Sequence, residues 1–193
     1  MKVKILDEVG KETALHGLGL SFGITSRVSP FAIMFDKNLH DRMMHRAEKL
    51  SGLGGGHDKF LRMFLVDLLI TAPLYWWKQF DTYKVGTVTQ SESTMHTLMK
   101  SPISQDMFEG EISPVFIKTL EDFRLAGDFD ALNRHLPHSF LQTRVVSTNY
   151  AALQNIIMQR HHHKLSEWSL FVEEILKHCE YPKLLWPDRL RKS

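Results

Sequence analysis

The sequence predicts an α+β fold, with helices packed on a modest antiparallel or mixed sheet. Three observations carry that expectation. Residues 60–71 are apolar enough for a mostly buried strand, within which Phe64, Val66, Leu68 and Ile70 share one face. Residues 38–50 place Leu39, Met43, Ala47 and Leu50 at helical spacing. A second helical stripe follows Ser166, through Trp168, Phe171, Val172, Ile175 and Leu176.

The remaining elements follow from local chemistry. Residues 2–6 read as a short strand, and Ser51-Gly52-Leu53-Gly54-Gly55-Gly56 stops the helix before it. Ala72-Pro73 suits a helix start that carries Leu74, Trp77 and Phe80 toward a core. Trp76 and Trp77 are adjacent, so one is expected in the core and the other exposed. Ser113-Pro114 is another start and Gly127 a stop. Residues 141–148 read as a second strand. Asn149 then caps a helix with Leu153, Ile156 and Arg160 near one face, and Ser166 caps the last helix. Leu185-Trp186-Pro187 ends the ordered part, leaving residues 188–193 as a frayed basic tail. No repeat, low-complexity stretch or linker divides the chain, so residues 1–193 are expected to form one domain.

Composition narrows the function. The chain is 43% hydrophobic and 24% charged, and 24 Lys plus Arg against 22 Asp plus Glu leave a formal charge of +2. That balance gives no case for general nucleic-acid binding. The apolar runs are too short for a bilayer, so no membrane role is expected. The N-terminal residues have no signal-like apolar stretch, and the single cysteine, Cys179, admits no intrachain disulfide. A reduced, cytoplasmic setting is the default.

Local motifs are weak taken singly. His161-His162-His163 suggests a metal, but neighbours in a helix point about 100° apart and chelate one ion poorly. No CxxC or HExxH partner supports a site, so no metal is expected. Gly54-Gly55-Gly56-His57 lacks the Gly-Lys-Ser/Thr of a P-loop and reads as a turn. No G-x-S-x-G elbow appears, and Cys179 fits a small core residue better than a nucleophile.

Taken together and in order, several segments resemble the flavin-dependent thymidylate synthases. Residues 2–7 resemble the family's first strand. His57-Asp58-Lys59-Phe60-Leu61-Arg62-Met63 falls where the family has His-x-Ser-x-x-Glu-His. Residues 72–80 resemble the helix before the signature Arg-His-Arg-x-x-Ser-x-Asn-Glu-x-Ser-x-Arg. Here the signature positions carry Thr82, Tyr83, Lys84, Thr87, Thr89, Gln90, Glu92 and Thr94. Leu136-Pro137, Thr148-Asn149, Asn155 and Arg160 repeat the spacing of the family's C-terminal substrate segment, and Trp168 that of its Gln-Trp-Glu tryptophan, one residue late. Residues 97–133 match weakly.

The resemblance implies a homotetramer with sites built by several subunits, FAD as cofactor, a folate carbon donor and a uridylate substrate methylated toward dTMP. It implies flavin contacts at His57, Lys84, Asn149 and Asn155, and contacts to a pyrimidine nucleotide at Gln79 and Arg160. It implies no protein nucleophile, so no catalytic residue is assigned. Arginines expected at Thr82, Thr94, Asn133 and Ala151 are absent, and Tyr83, Gln90 and Glu92 stand for His, Glu and Ser. Each lost charge-assisted donor is worth about 1.5–3 kcal/mol, so FAD binding is expected to be weak. Two functions remain open. One is a flavin-dependent methylating enzyme acting on a uridylate or related nucleotide. The other is a noncatalytic relative that holds a nucleotide or a protein partner.

Overall fold

The computed structural model describes residues 1–29 and 31–191. It is α+β, with a four-stranded antiparallel sheet in the order β1-β2-β4-β3. The strands are β1 (Lys2–Val9), β2 (Leu65–Pro73), β3 (Val88–Ser91) and β4 (Leu141–Asn149). The helices are α1 (Lys11–Leu20), α2 (Ala32–Phe35), α3 (Lys37–Leu50), α4 (Leu74–Phe80), α5 (Thr94–Thr97) and α6 (Pro114–Leu125). They continue with α7 (Phe129–His135), α8 (Tyr150–Arg160), α9 (Ser166–His178), α10 (Pro182–Leu185) and α11 (Asp188–Arg191). Among the described residues no helix is long and apolar enough to cross a membrane.

The chain forms two compact units from interleaved segments. The first comprises Met1–Val3, Leu69–Thr82 and Thr89–Val145; the second, Lys4–Leu68, Tyr83–Val88 and the chain from Val146 on.

In the first unit, Trp76 and Trp77 are both buried, at 0% and 1% exposure. The expectation that one would be exposed therefore fails, and neither needs a neighbouring subunit to cover it. Trp76 stacks on Phe80 at 5.0 Å between ring centroids. Trp77 donates its indole N–H to the Gln142 carbonyl at 2.9 Å, and the Arg144 guanidinium lies 4.2 Å from its ring centroid. A tryptophan whose N–H finds a backbone acceptor is buried without penalty. Residues 97–133 build a second apolar cluster of Leu98, Ile103, Phe108, Leu120 and Leu132, joined by Phe140.

In the second unit, α3 buries Leu39, Met43 and Ala47, and Asp36 caps it by accepting from the Leu39 amide at 3.0 Å. Residues 59–63 are a 3-10 turn, not the start of a strand. Phe60 and Leu61 are both buried within that turn, so the apolar run read as strand begins as a helical turn and only Leu65–Pro73 is extended. Leu165, not Ser166, occupies the cap position of α9, and Ser166 is its first helical residue. Trp168, Phe171, Val172 and Ile175 are buried as their spacing predicts.

The ordered chain also continues past Leu185-Trp186-Pro187. Residues 188–191 form α11, Leu190 is buried, and Arg189 donates to the Lys49 carbonyl at 2.6 Å. A side chain at Gly52, whose φ is +72°, would come within 3.1 Å of Leu190. Of the expected basic tail, Lys192 and Ser193 lie outside the described residues.

One ion pair in the first unit gives a pH signature. Glu121 accepts from Arg124 Nε and Nη2, at 2.7 and 2.5 Å, and from the Ile103 amide at 2.9 Å. The Arg124 bonds first, then the Ile103 amide, hold its carboxyl down at about 2. A carboxylate depressed in the folded state adds stability that is present above its unfolded value and lost as pH falls through its folded value. The window therefore runs from about 4.5 down to about 2. We expect Glu121→Gln to lose less stability across that window than the unmutated protein. Denaturation curves at several acidic pH values check it; parallel losses refute it.

Candidate functional site

The second unit gathers polar side chains along α8, and the turn from β4 into this helix positions them. Asn149 takes extended angles (φ −141°, ψ 165°) and its Oδ1 accepts from the Ala152 amide at 3.0 Å. That is the side-chain cap an Asn at this position predicts. On the exposed side of α8, Asn155 and Gln159 are four residues apart and bond, Gln159 Nε2 donating to Asn155 Oδ1 at 3.0 Å. Arg160 closes the helix, half-buried.

The segment Tyr83–Val88 is fastened to α8 and β4 at two points. Arg160 Nε donates to the Tyr83 hydroxyl at 2.7 Å, and that hydroxyl donates to Gln159 Oε1 at 3.0 Å. Further along, the Thr148 hydroxyl reaches Thr87 Oγ1 at 3.0 Å and the Gly86 carbonyl at 3.2 Å. Gly86 has φ +69°, and a Cβ there would meet Asn149 Nδ2 at 2.6 Å. Both the backbone angle and the space demand glycine.

The result is a connected chain from Arg160 through Tyr83 and Gln159 to Asn155. The Arg160 guanidinium also lies 4.7 Å from the centroid of the buried Trp168 ring and 5.5 Å from that of Tyr83. Two aromatic faces and a phenol oxygen fix the plane of its fork. His163 lies beside it, with its ring 6.3 Å from Trp168. Burial first, then Arg160 and Lys164, hold the His163 imidazole below its usual range. Arg160 and Lys164 thus both bear on this imidazole at the end of α8.

The six residues singled out in the sequence do not all fall here. Asn149, Asn155 and Arg160 lie on α8 or at its cap, and Lys84 is exposed on the fastened segment beside Tyr83. His57 is exposed and lies elsewhere in the same unit, lining a cavity beside α1. Gln79 belongs to the first unit, on α4, half-buried, with its carbonyl accepting from Thr82. Glu92 is also in the first unit, where its backbone carbonyl accepts from Gln142 Nε2 at 3.0 Å and its carboxylate from the Thr143 amide at 3.3 Å. His161-His162-His163 forms the turn after α8, with the His161 and His162 rings 4.0 Å apart. No metal-holding group of His, Cys, Asp and Glu occurs among the described residues. Cys179 is buried, and burial first, then Glu8, pushes its thiol up to about 12. The contributions of Gln159 and Thr87 were not read from the sequence. The four-residue spacing of Asn155 and Gln159 was the available signal.

The Asn149 cap yields a direct test. Asn149→Ala should cost about 1 kcal/mol of stability from the lost cap alone. Asn149→Asp keeps the accepting oxygen and should restore most of it. Urea melts of both variants check this; equal losses would show that the Nδ2 side, not the cap, matters.

No protein-family model matches the chain, and no curated protein matches it significantly in sequence. Solved structures do match. The flavin-dependent thymidylate synthase ThyX of Helicobacter pylori, complexed with FAD and dUMP, superposes with a TM-score of 0.74 at 14% identity, over 96% of this chain and 98% of that one. A second structure of that organism's thymidylate synthase X, with FAD and dUMP, gives 0.76 at 14% identity, over 99% and 100%. A UMP/dUMP methylase, PolB, from Streptomyces cacaoi, bound with 5-Br dUMP, gives 0.62 at 12% identity, over 91% and 88%. The fold expected from the ordered segments is therefore present: this chain has the fold of the flavin-dependent thymidylate synthases, in divergent form.

Proposed function

We propose that this protein is a remodelled relative of the flavin-dependent thymidylate synthases that binds a pyrimidine nucleotide, a uridylate or a close analogue, at the Arg160 end of α8. The observation that carries the reading is the held guanidinium of Arg160, stacked over Trp168 and bonded to Tyr83. A preoriented fork loses little freedom when it meets a phosphate. Gln79, on α4 of the first unit, is the other nucleotide contact that the resemblance implies. The protein acts in the cytoplasm as a homotetramer of a single-domain chain, 1–193.

His57, Lys84, Asn149 and Asn155 are the candidate FAD contacts, but the residues present fit that cofactor poorly. The side-chain amide of Asn149 is spent on the Ala152 amide and the Gly86 carbonyl. Tyr83 is bonded on both sides, to Arg160 and Gln159. Thr82 and Ala151 offer no cation. No reaction step is therefore derived through a flavin or a folate. The same observations favour the second reading, a noncatalytic relative that binds a nucleotide or a protein.

Titration of uridylate against the unmutated protein and Arg160→Ala tests the first proposal. Affinity should fall by about 1.5–3 kcal/mol, with the melting temperature nearly unchanged. Tyr83→Phe keeps the ring and removes the hydroxyl, and should weaken binding less. An unchanged affinity with a large drop in melting temperature would make Arg160 a structural residue only. Absence of uridylate binding by the unmutated protein would leave the protein-binding relative.

The purified protein should be colourless and sediment as an oligomer. Stoichiometric bound flavin, seen as a yellow absorption band, would restore the enzyme reading. A monomer at micromolar concentration would count against a family-like site.

A further inference from the structure

The second unit contains another concavity, of about 570 Å³, between α1, the end of α3 and the 59–63 turn. That volume lies within the usual range for small-molecule sites. Leu18, Phe22, Leu50, Phe60 and Met63 give it apolar walls. His57, Lys59 and Arg62 line it too, and no Asp or Glu does among the described residues. A further cation stands next to it, with the Arg46 guanidinium 4.4 Å from the centroid of the Phe22 ring. Lys59 and Arg62 are exposed, and neither forms an ion pair among the described residues. The nearest acid in sequence, Asp58, is turned to the Gly54 amide, whose N–H it accepts at 3.0 Å.

Gly17 sits in the middle of α1 and lines the same cavity. A Cβ there would meet nothing within 4 Å. Glycine costs a helix interior about 1 kcal/mol relative to alanine. At this position neither a positive φ nor a close neighbour demands it. Its effect is to leave the cavity open.

We propose that this cavity binds an anionic amphiphile: an apolar acyl chain or aromatic body with one carboxylate, sulfonate or phosphate head. The apolar walls take the body, and Arg62 and Lys59 take the head through charge-assisted hydrogen bonds. The inference does not rest on the nucleotide reading, with which it shares no residue; His57 is a candidate flavin contact only.

Calorimetric titration of the full chain tests it, using decanoate below its micelle concentration, naphthalene sulfonate, decanol and decyltrimethylammonium. One or both anions should bind at a single saturable site, and the tighter of the two tells chain from ring. The cationic and neutral amphiphiles should bind at least about tenfold more weakly, and Arg62→Ala should cost the anion about tenfold. Gly17→Leu should abolish anion binding while raising or preserving the melting temperature and leaving uridylate affinity unchanged. Gly17→Ala, a smaller intrusion, serves if the leucine variant fails to fold, and should weaken the anion in the same direction. The proposal is overturned if neither anion saturates, if decyltrimethylammonium binds as well as decanoate, or if the Gly17 variants bind the anion unchanged.

Discussion

Three consecutive residues where β4 passes into α8 tie several segments of the second unit together. Thr148 bonds Gly86 and Thr87, Asn149 caps α8, and Tyr150 anchors two further segments. The Tyr150 amide donates to the Phe64 carbonyl at 3.0 Å. Its hydroxyl donates to Glu8 at 2.7 Å and accepts from the Tyr181 amide at 3.2 Å. Burial, with the Glu8 carboxylate beside it, drives this phenol far above its usual range, so it stays a neutral donor. A strand that ends and a helix that begins within one residue leave amide groups to satisfy. Here the Tyr150 amide is met by the Phe64 carbonyl and the Ala152 amide by the Asn149 side chain.

That constraint explains the position of the candidate site. Once Asn149 fixes the start of α8, helical geometry sets where Asn155, Gln159 and Arg160 emerge. Gly86 is needed because the segment from Tyr83 passes too close to Asn149 for a side chain. The same close passage delivers the Tyr83 phenol to Arg160. Capping, glycine and arginine orientation are thus one problem in packing.

Much of this was legible in the residues. The Asn149 cap, the alternation of β2, the α3 and α9 stripes and the glycine-rich stop after α3 follow from period and cap chemistry alone. Other features were set by tertiary contact. The 59–63 turn is as apolar as the strand that follows it, so composition alone does not separate the two. Trp76 and Trp77 both find room because Phe80 stacks on one and Gln142 accepts from the other. The last turn, α11, is short and basic, and only the groove beside Gly52 and the Lys49 carbonyl gives it a place. The site was legible by spacing but not by role. Tyr83 read as the loss of a histidine, whereas in the folded chain it is the residue that positions Arg160.

The replacement has a physical consequence. Imidazole presents one donor and one acceptor on separate atoms, or two donors when protonated. A phenol donates and accepts at a single oxygen, and Tyr83 uses both capacities inside the chain, accepting from Arg160 and donating to Gln159. The one phenol proton goes to Gln159, so an anionic ligand gains no hydrogen bond from Tyr83 without breaking that one. Tyr83 thus serves the cation beside it, accepting from Arg160. The Asn149 amide is committed in the same way, its oxygen to the Ala152 amide and its nitrogen to the Gly86 carbonyl, so the polar groups around the start and the end of α8 are largely satisfied within the chain.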